Sequence, residues 1–228
     1  MVCESPSRRA GKGRGSFDRR ERSVCEQLDA RVSDLQLSEQ GRNLIYVVIG
    51  GLVIGAALYF VPLGGVPLTD FLIQYNEAVL TGRVWQLVTS IIVVFPYYPG
   101  IVDVAFNAMA LAWLDGILSY TYTKSQYYAV FLVTGIAGNI FSLANGPNVS
   151  SFGASGGIFG LLAGVISFDL VTNRRVNPGL MVWFALIFIV SSFTFTSVDW
   201  IAHAGGALLG LALGYVIGIR RGADPASM

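Results

Sequence analysis

Six apolar segments, each close to the length a bilayer demands, constrain this chain more than any other feature. They run Leu44–Val61, Ile101–Tyr120, Tyr127–Ala144, Ala154–Val171, Leu180–Phe195 and Trp200–Ile219. A hydrocarbon core about 30 Å thick is crossed by about 20 apolar residues of helix. In lipid a spanning segment must satisfy its own backbone groups, so runs of this kind read as helices. Composition agrees: 54% of the 228 residues are hydrophobic, 13% are charged, and mean hydropathy is +0.60. That is too apolar for a soluble domain of this size. The chain reads as an all-α membrane protein with six transmembrane helices.

Charge is distributed unevenly along it. Residues 1–43 hold 9 of the 15 Lys and Arg and 7 of the 14 Asp and Glu. The domain reading is a polar, largely disordered tail over 1–43, a membrane domain over 44–219 and a short tail over 220–228. Arg8, Arg9, Lys12, Arg14, Arg19, Arg20 and Arg22 lie among Gly and Ser, a composition that cannot bury a core. Val24, Leu28, Val32 and Leu35 then recur at helical spacing, a weak amphipathic signal. A basic arm of this kind reads as solvated, so no nucleic-acid partner is expected; membrane lipid is. Cys3 and Cys25 lack metal-ligand spacing and would stay reduced in a cytosolic tail. The first apolar run follows too long a charged region for a cleaved signal peptide. Lys124, Arg174, Arg175, Arg220 and Arg221 follow the second, fourth and sixth segments, on the side of the basic tail. By the positive-inside bias that side is the cytoplasm. Both termini are then cytoplasmic, in a multi-pass protein expected in the plasma membrane.

The 62–100 connection contains Asp70, Glu77 and Arg83, which argue against spanning. It also contains Phe71, Leu72, Ile73, Tyr75, Val79, Leu80, Val84 and Trp85, which are too apolar for an aqueous loop. Short helices lying in the interface fit both sets, with Trp85, Tyr97 and Tyr98 at headgroup level. A partly buried lid without chemistry and a substrate-handling loop are both open readings.

The fourth segment opens on Gly153-Ala154-Ser155-Gly156-Gly157-Ile158-Phe159-Gly160. Small residues at a helix head let membrane helices approach closely, which is one reading. The other makes Ser155 a nucleophile, flanked by glycines so that a peptide carbonyl can reach its hydroxyl. A serine hydroxyl needs a base, and the single histidine of the chain, His203, lies in the apolar run Trp200–Gly210. Ser155 and His203 each lie within about one turn, roughly 5 Å, of a helix start on the outer side. They can therefore share a depth in the outer leaflet, which favours the nucleophile reading.

These residues carry a resemblance to the rhomboid intramembrane serine proteases. Gly153-Ala154-Ser155-Gly156 resembles the family's G-x-S-G nucleophile motif. The stretch from Ala202-His203 through Gly206 to Gly210 is similar to its A-H-x-x-G-x-x-x-G motif on the last core helix. Phe106-Asn107-Ala108 is similar to its second-helix asparagine motif, and Gly135 to Asn139 to its third helix. The resemblance covers residues 44–219. It implies a six-helix rhomboid bundle with a short, central fourth helix and a membrane-embedded first loop. It also implies cleavage of single-span membrane proteins near the outer leaflet by a Ser155–His203 dyad, with no cofactor or metal. The oxyanion would be held by backbone N–H groups at the start of the fourth helix, that of Ser155 among them, and by the Asn107 amide. Asn107 can equally be a helix–helix hydrogen bond. Gly206 and Gly210 would let the sixth helix approach the fourth.

The chain departs from the pattern twice. Where the second-helix motif reads H-x-x-x-N this sequence has Asp103 and Asn107, and where the first loop carries Trp-Arg it has Trp85-Gln86. Asp103 is read as a water-facing helix cap, with a protonated carboxyl in an apolar pocket as the alternative. Asp199 is read as a cap of the last helix rather than an orienter of His203. Asp115 is expected to face the bundle because a carboxylate is costly in lipid, with no role assigned. Two further classes compete. A catalytically inactive rhomboid-like protein that binds membrane clients would explain the missing second-helix histidine. A small transporter would explain the intramembrane histidine and aspartates, but no inverted repeat of broken helices is present.

Overall fold

The computed structural model describes residues 37–193 and 199–222. The tail reading for 1–36, with both cysteines, lies outside the described residues. The first long helix, α1 (Glu39–Tyr59), starts before the expected Leu44 because Ser38 caps it. The Ser38 hydroxyl accepts from the Gly41 N–H at 3.0 Å. Polar residues fill this first turn, so the apolar pattern begins later than the helix. Asp115 secures the same turn, accepting from the Ser38 N–H and from the Ser38 hydroxyl at 2.6 Å. A carboxylate at a helix N-terminus also meets the positive end of the helix dipole. Gly41 leaves the space: a Cβ there would collide with the Asp115 carboxylate.

The first loop differs in part from the expected set of short helices. It opens with a hairpin, β1 (Pro62–Leu63) against β2 (Val66–Pro67), turned by Gly64 at φ +62° and Gly65 at φ +90°. A 3-10 turn at Leu68–Phe71 leads to β3 (Gln74–Tyr75), followed by the short helices α2 (Asn76–Leu80) and α3 (Gln86–Thr89). Pro-Leu-Gly-Gly-Val-Pro carries a turn signal that suits a hairpin better than a helix. Gln86, standing where the family motif has arginine, is fully buried. Its Oε1 accepts from the Tyr75 N–H at 3.0 Å and its Nε2 donates to the Phe71 carbonyl at 3.3 Å. Trp85 donates to the same carbonyl at 2.8 Å. The Arg83 guanidinium lies 4.6 Å from the centroid of the Phe71 ring, within the range of a cation–π contact. The neutral amide thus ties α3 to the Phe71–Tyr75 segment within the loop, and the nearby arginine packs on the Phe71 ring. Burial raises the Asp70 carboxyl above its usual range. Burial, followed by the Asp70 charge, pushes the Tyr75 phenol up to about 12, since both disfavour the phenolate.

Five more helices follow: α4 (Tyr98–Thr121), α5 (Lys124–Ser142), α6 (Ser155–Thr172), α7 (Pro178–Phe193) and α8 (Trp200–Gly222). α4 begins before the expected Ile101, with Pro99 in its first turn, where the missing N–H costs nothing. Thr123 and Gln126 form a capping box at the head of α5, satisfying two backbone donors reciprocally. Among the described residues, five of the six long helices (α1, α4, α5, α6 and α8) are long and apolar enough to cross a membrane. α7 coincides with the expected fifth span but has 16 residues. That is about 24 Å of helix. The end of that expected span, 194–195, lies outside the described residues. The chain is thus an all-α membrane protein whose strands, among the described residues, have two residues each.

α6 is the centre. Of its most apolar 18-residue window 67% is buried, against 28–44% for the other four. Its glycines explain how. A Cβ at Gly206, Gly210 or Gly214 of α8 would collide with the carbonyl of Gly156, Gly160 or Gly164 respectively. On the other side, a Cβ at Gly157 would lie 2.6 Å from the Phe131 carbonyl of α5. Backbone approach at this range gains dispersion contacts that lipid cannot replace.

Candidate active site

The chain enters α6 under tight control. β4 (Ser150–Ser151) pairs antiparallel with β3, setting Gln74 opposite Ser151 and Tyr75 opposite Ser150. The Gly153 N–H then donates to the Ser90 carbonyl at 2.8 Å. Gly153 sits at φ +107°, and a Cβ there would collide with the Asp103 carboxylate. L side chains rarely adopt that φ. Both facts demand glycine. The turn makes Ser155 the first residue of α6, in a helix turn whose N–H groups have no partner inside the helix.

His203 is the fourth residue of α8 and is buried. Asp199 caps that helix. Its Oδ1 accepts from the Ala202 N–H at 3.2 Å and from the Asn145 amide at 2.7 Å. His203 Nε2 lies 2.8 Å from Ser155 Oγ. For Nε2 to accept the serine proton, the neutral ring carries its own at Nδ1. The imidazole lies against a pair of touching phenylalanines, with ring centroids 4.7 Å from Phe159 and 6.3 Å from Phe188. Gly206, three residues beyond His203, is where α8 lies directly on α6. Gly156 contributes its carbonyl to that contact; a Cβ on Gly156 itself would make only ordinary contacts, the nearest at 3.6 Å.

Asn107 is buried on α4, and its Nδ2 donates to Asp103 Oδ2 at 2.8 Å. Asp103 is therefore not a water-facing cap. It is the sixth residue of a helix that starts at Tyr98, past the first-turn N–H groups that a cap serves. Its carboxylate lies between Asn107 and Gly153. Asp103, Asn107, Ser155, Phe159, Trp183 and His203 all line one cavity of about 610 Å³. The structure thus brings Ser155, His203, Asn107, Asp103, Gly153 and Gly156 to one place, with Gly206 and Gly210 behind them on the seam between α6 and α8. Asp115 sits apart, towards the far end of α4, where it holds α1.

Three contributors were not singled out in the sequence. Phe159 lies one helical turn after Ser155, so spacing alone could have flagged it. Ser90 supplies the carbonyl that fixes Gly153, and Asn139 donates to the Ser90 hydroxyl at 2.9 Å and to the Leu87 carbonyl at 2.9 Å. Asn139 had a signal in the glycine-rich third-helix motif, whereas Ser90 had none.

Comparison with known proteins gives the family of the chain. The Rhomboid domain family matches residues 81–220, more than half of the chain. The chain is 27% identical over 164 residues to rhomboid protease GluP of Bacillus subtilis (strain 168), covering 68% of this chain and 31% of that protein. It is 26% identical over 151 residues to the putative rhomboid protease YdcA of the same organism, covering 64% and 74%. Against RHOMBOID-like protein 5 of Arabidopsis thaliana it is 30% identical over 147 residues, covering 61% and 46%. The match thus spans less than a third of GluP's length and about three quarters of YdcA's. With a family match across most of its membrane helices and those relatives, this chain belongs to the rhomboid family.

Proposed function

We propose that this protein is an intramembrane serine endopeptidase that cleaves single-span membrane proteins near the outer leaflet. The observation that carries this reading is the 2.8 Å contact between His203 Nε2 and Ser155 Oγ beside a cavity of about 610 Å³. Ser155 Oγ attacks the scissile carbonyl while His203 takes its proton. The negative charge on the carbonyl oxygen is met by the backbone N–H of Ser155 and by the Asn107 amide, donors fixed in advance. The C–N bond then breaks, His203 returns the proton to the leaving amine, and water releases the acyl group from Ser155 by the same steps in reverse order. The scheme uses no cofactor or metal.

In this reading α7 also crosses the membrane, giving six spans. The long polar tail and the C-terminus are cytoplasmic, and the protein works in the plasma membrane on transmembrane-segment substrates surrounded by lipid. The membrane domain over 44–219 carries the activity. A second reading, a rhomboid-like protein that binds clients without cutting them, is favoured by one observation: an aspartate replaces the second-helix histidine beside the site. The two separate in vesicles. The wild type should be labelled by a fluorophosphonate probe and should cut a single-span reporter, and Ser155→Ala should lose both. A wild type that neither labels nor cuts leaves the client-binding reading in place.

A further inference from the structure

The replacement at Asp103 has a structural partner that gives it a task. Asn107 follows it by four residues on α4, so both side chains stand on one face. An asparagine amide has two orientations related by a flip, one presenting Nδ2 and one presenting Oδ1, and only a hydrogen-bond partner fixes which is adopted. Here Nδ2 donates to Asp103 Oδ2 at 2.8 Å. A flipped amide would set its oxygen against a carboxylate, two acceptors in contact. The carboxylate is itself confined, because it lies on the backbone of Gly153, where no side chain fits. The remaining Nδ2 proton diverges from the first and is available to the cavity that Ser155 shares.

We propose that Asp103 is a positioning residue that locks the Asn107 amide with its N–H, rather than its oxygen, presented to the reacting carbonyl. The proposal rests on the protease reading. Asp103 touches no reacting atom in it and acts only through Asn107. The position is filled in this chain by a group that cannot donate when ionised, and the lock gives such a group a use: an acceptor is what turns a neighbouring amide into a directed donor. Ionised Asp103 also places negative charge near the developing oxyanion, so the lock needs an acceptor oxygen and not the charge.

The test is a cycle of variants of the full chain in phosphatidylcholine–phosphatidylglycerol vesicles, with a fluorescent single-span reporter and kcat and KM measured separately. Asp103→Leu should lower kcat about 10- to 100-fold, less than or comparable to loss of one oxyanion donor. KM should change less than about twofold, as expected for an interaction made only in the transition state. Asp103→Asn can meet Asn107 with either its oxygen or its own N–H, so it locks only part of the population and should restore part of the turnover lost in Asp103→Leu. In an Asn107→Ala background Asp103→Leu should cost less than about threefold more, since there is no amide left to orient. Where Leu prevents folding, as seen by thermal unfolding, Ala takes its place. The proposal is overturned by a fully active Asp103→Leu, by Asp103→Asn falling as far as Asp103→Leu, or by equal losses with and without Asn107. Those results leave the protease reading intact while wild type cuts and Ser155→Ala does not. A wild type that does not cut, or a Ser155→Ala that does, overturns both.

Discussion

On the protease reading, Ser155 and His203 form a unit in which neither group is useful alone, because the hydroxyl is a poor nucleophile without a base to take its proton. Ser155→Ala and His203→Ala should each reduce reporter cleavage to background, and the double variant should be no worse than either, as measured in vesicles at equal folded protein. A double variant whose loss is the product of the two single losses would mean that they act independently. Asn107→Ala should retain cleavage at about one hundredth to one thousandth of the wild-type kcat. The pair is legible in the sequence because there is one histidine and because a small-residue cluster opens a second apolar run on the same side. The cap reading of Asp103 fails for a definite reason. Whether an aspartate caps a helix or lies inside it depends on where the helix begins, and the apolar pattern starts at Ile101 while the helix starts at Tyr98. That difference moves the carboxylate from the water-facing end to the cavity.

At the scale of elements, the seam between α6 and α8 sets the distance between Ser155 and His203, and it is built from backbone. Gly206→Leu should drive α8 away from Gly156, costing about 1–3 kcal/mol or more in stability, with turnover lost to a greater degree than stability. Gly116 is the control: it is helical with open space where a Cβ would stand. Gly116→Ala should stabilise by about 0.5–1 kcal/mol. Unfolding in mixed detergent compares the two. At the other end of the bundle, Asp115→Ala removes the acceptor for Ser38 and should destabilise by about 1–3 kcal/mol, leaving the cavity unaltered. The helices could be read from the sequence because length and apolarity are local properties. The pairing of β3 with β4 could not, since two-residue strands so far apart in the chain carry no pattern. Their meeting is decided by the turn at Gly153 and the buried amides of Gln74, Asn76 and Asn139.

For the whole molecule, the distribution of Lys and Arg makes a prediction about sidedness. In a variant lacking Cys3 and Cys25, a cysteine at Asn148 should react with an impermeant reagent added outside and a cysteine at Asn177 should not. Reaction of both from one side would separate Ser155 and His203 from the outer leaflet. The glycine seam also has an arithmetic of its own. Gly156, Gly160 and Gly164 face Gly206, Gly210 and Gly214, and both ladders repeat every four residues. A slide of α8 by one rung, about 6 Å, would still set two glycines of each ladder against one another, yet it would carry His203 beyond reach of Ser155. A ladder with equal rungs holds two helices together without choosing between neighbouring rungs. That choice falls to unrepeated contacts, among them the Asn145 amide on Asp199 at 2.7 Å, the Ser167 hydroxyl on the Leu211 carbonyl at 2.7 Å, and the close packing of Gly138 on the Ala202 carbonyl and of Gly205 on Phe141. Neither Asn145 nor Ser167 borders the cavity, and each bond is worth about 1 kcal/mol. Removing both bonds should therefore cost about 2 kcal/mol and lower turnover further than that loss alone would, because part of the folded population would shift to an alignment that cannot cut.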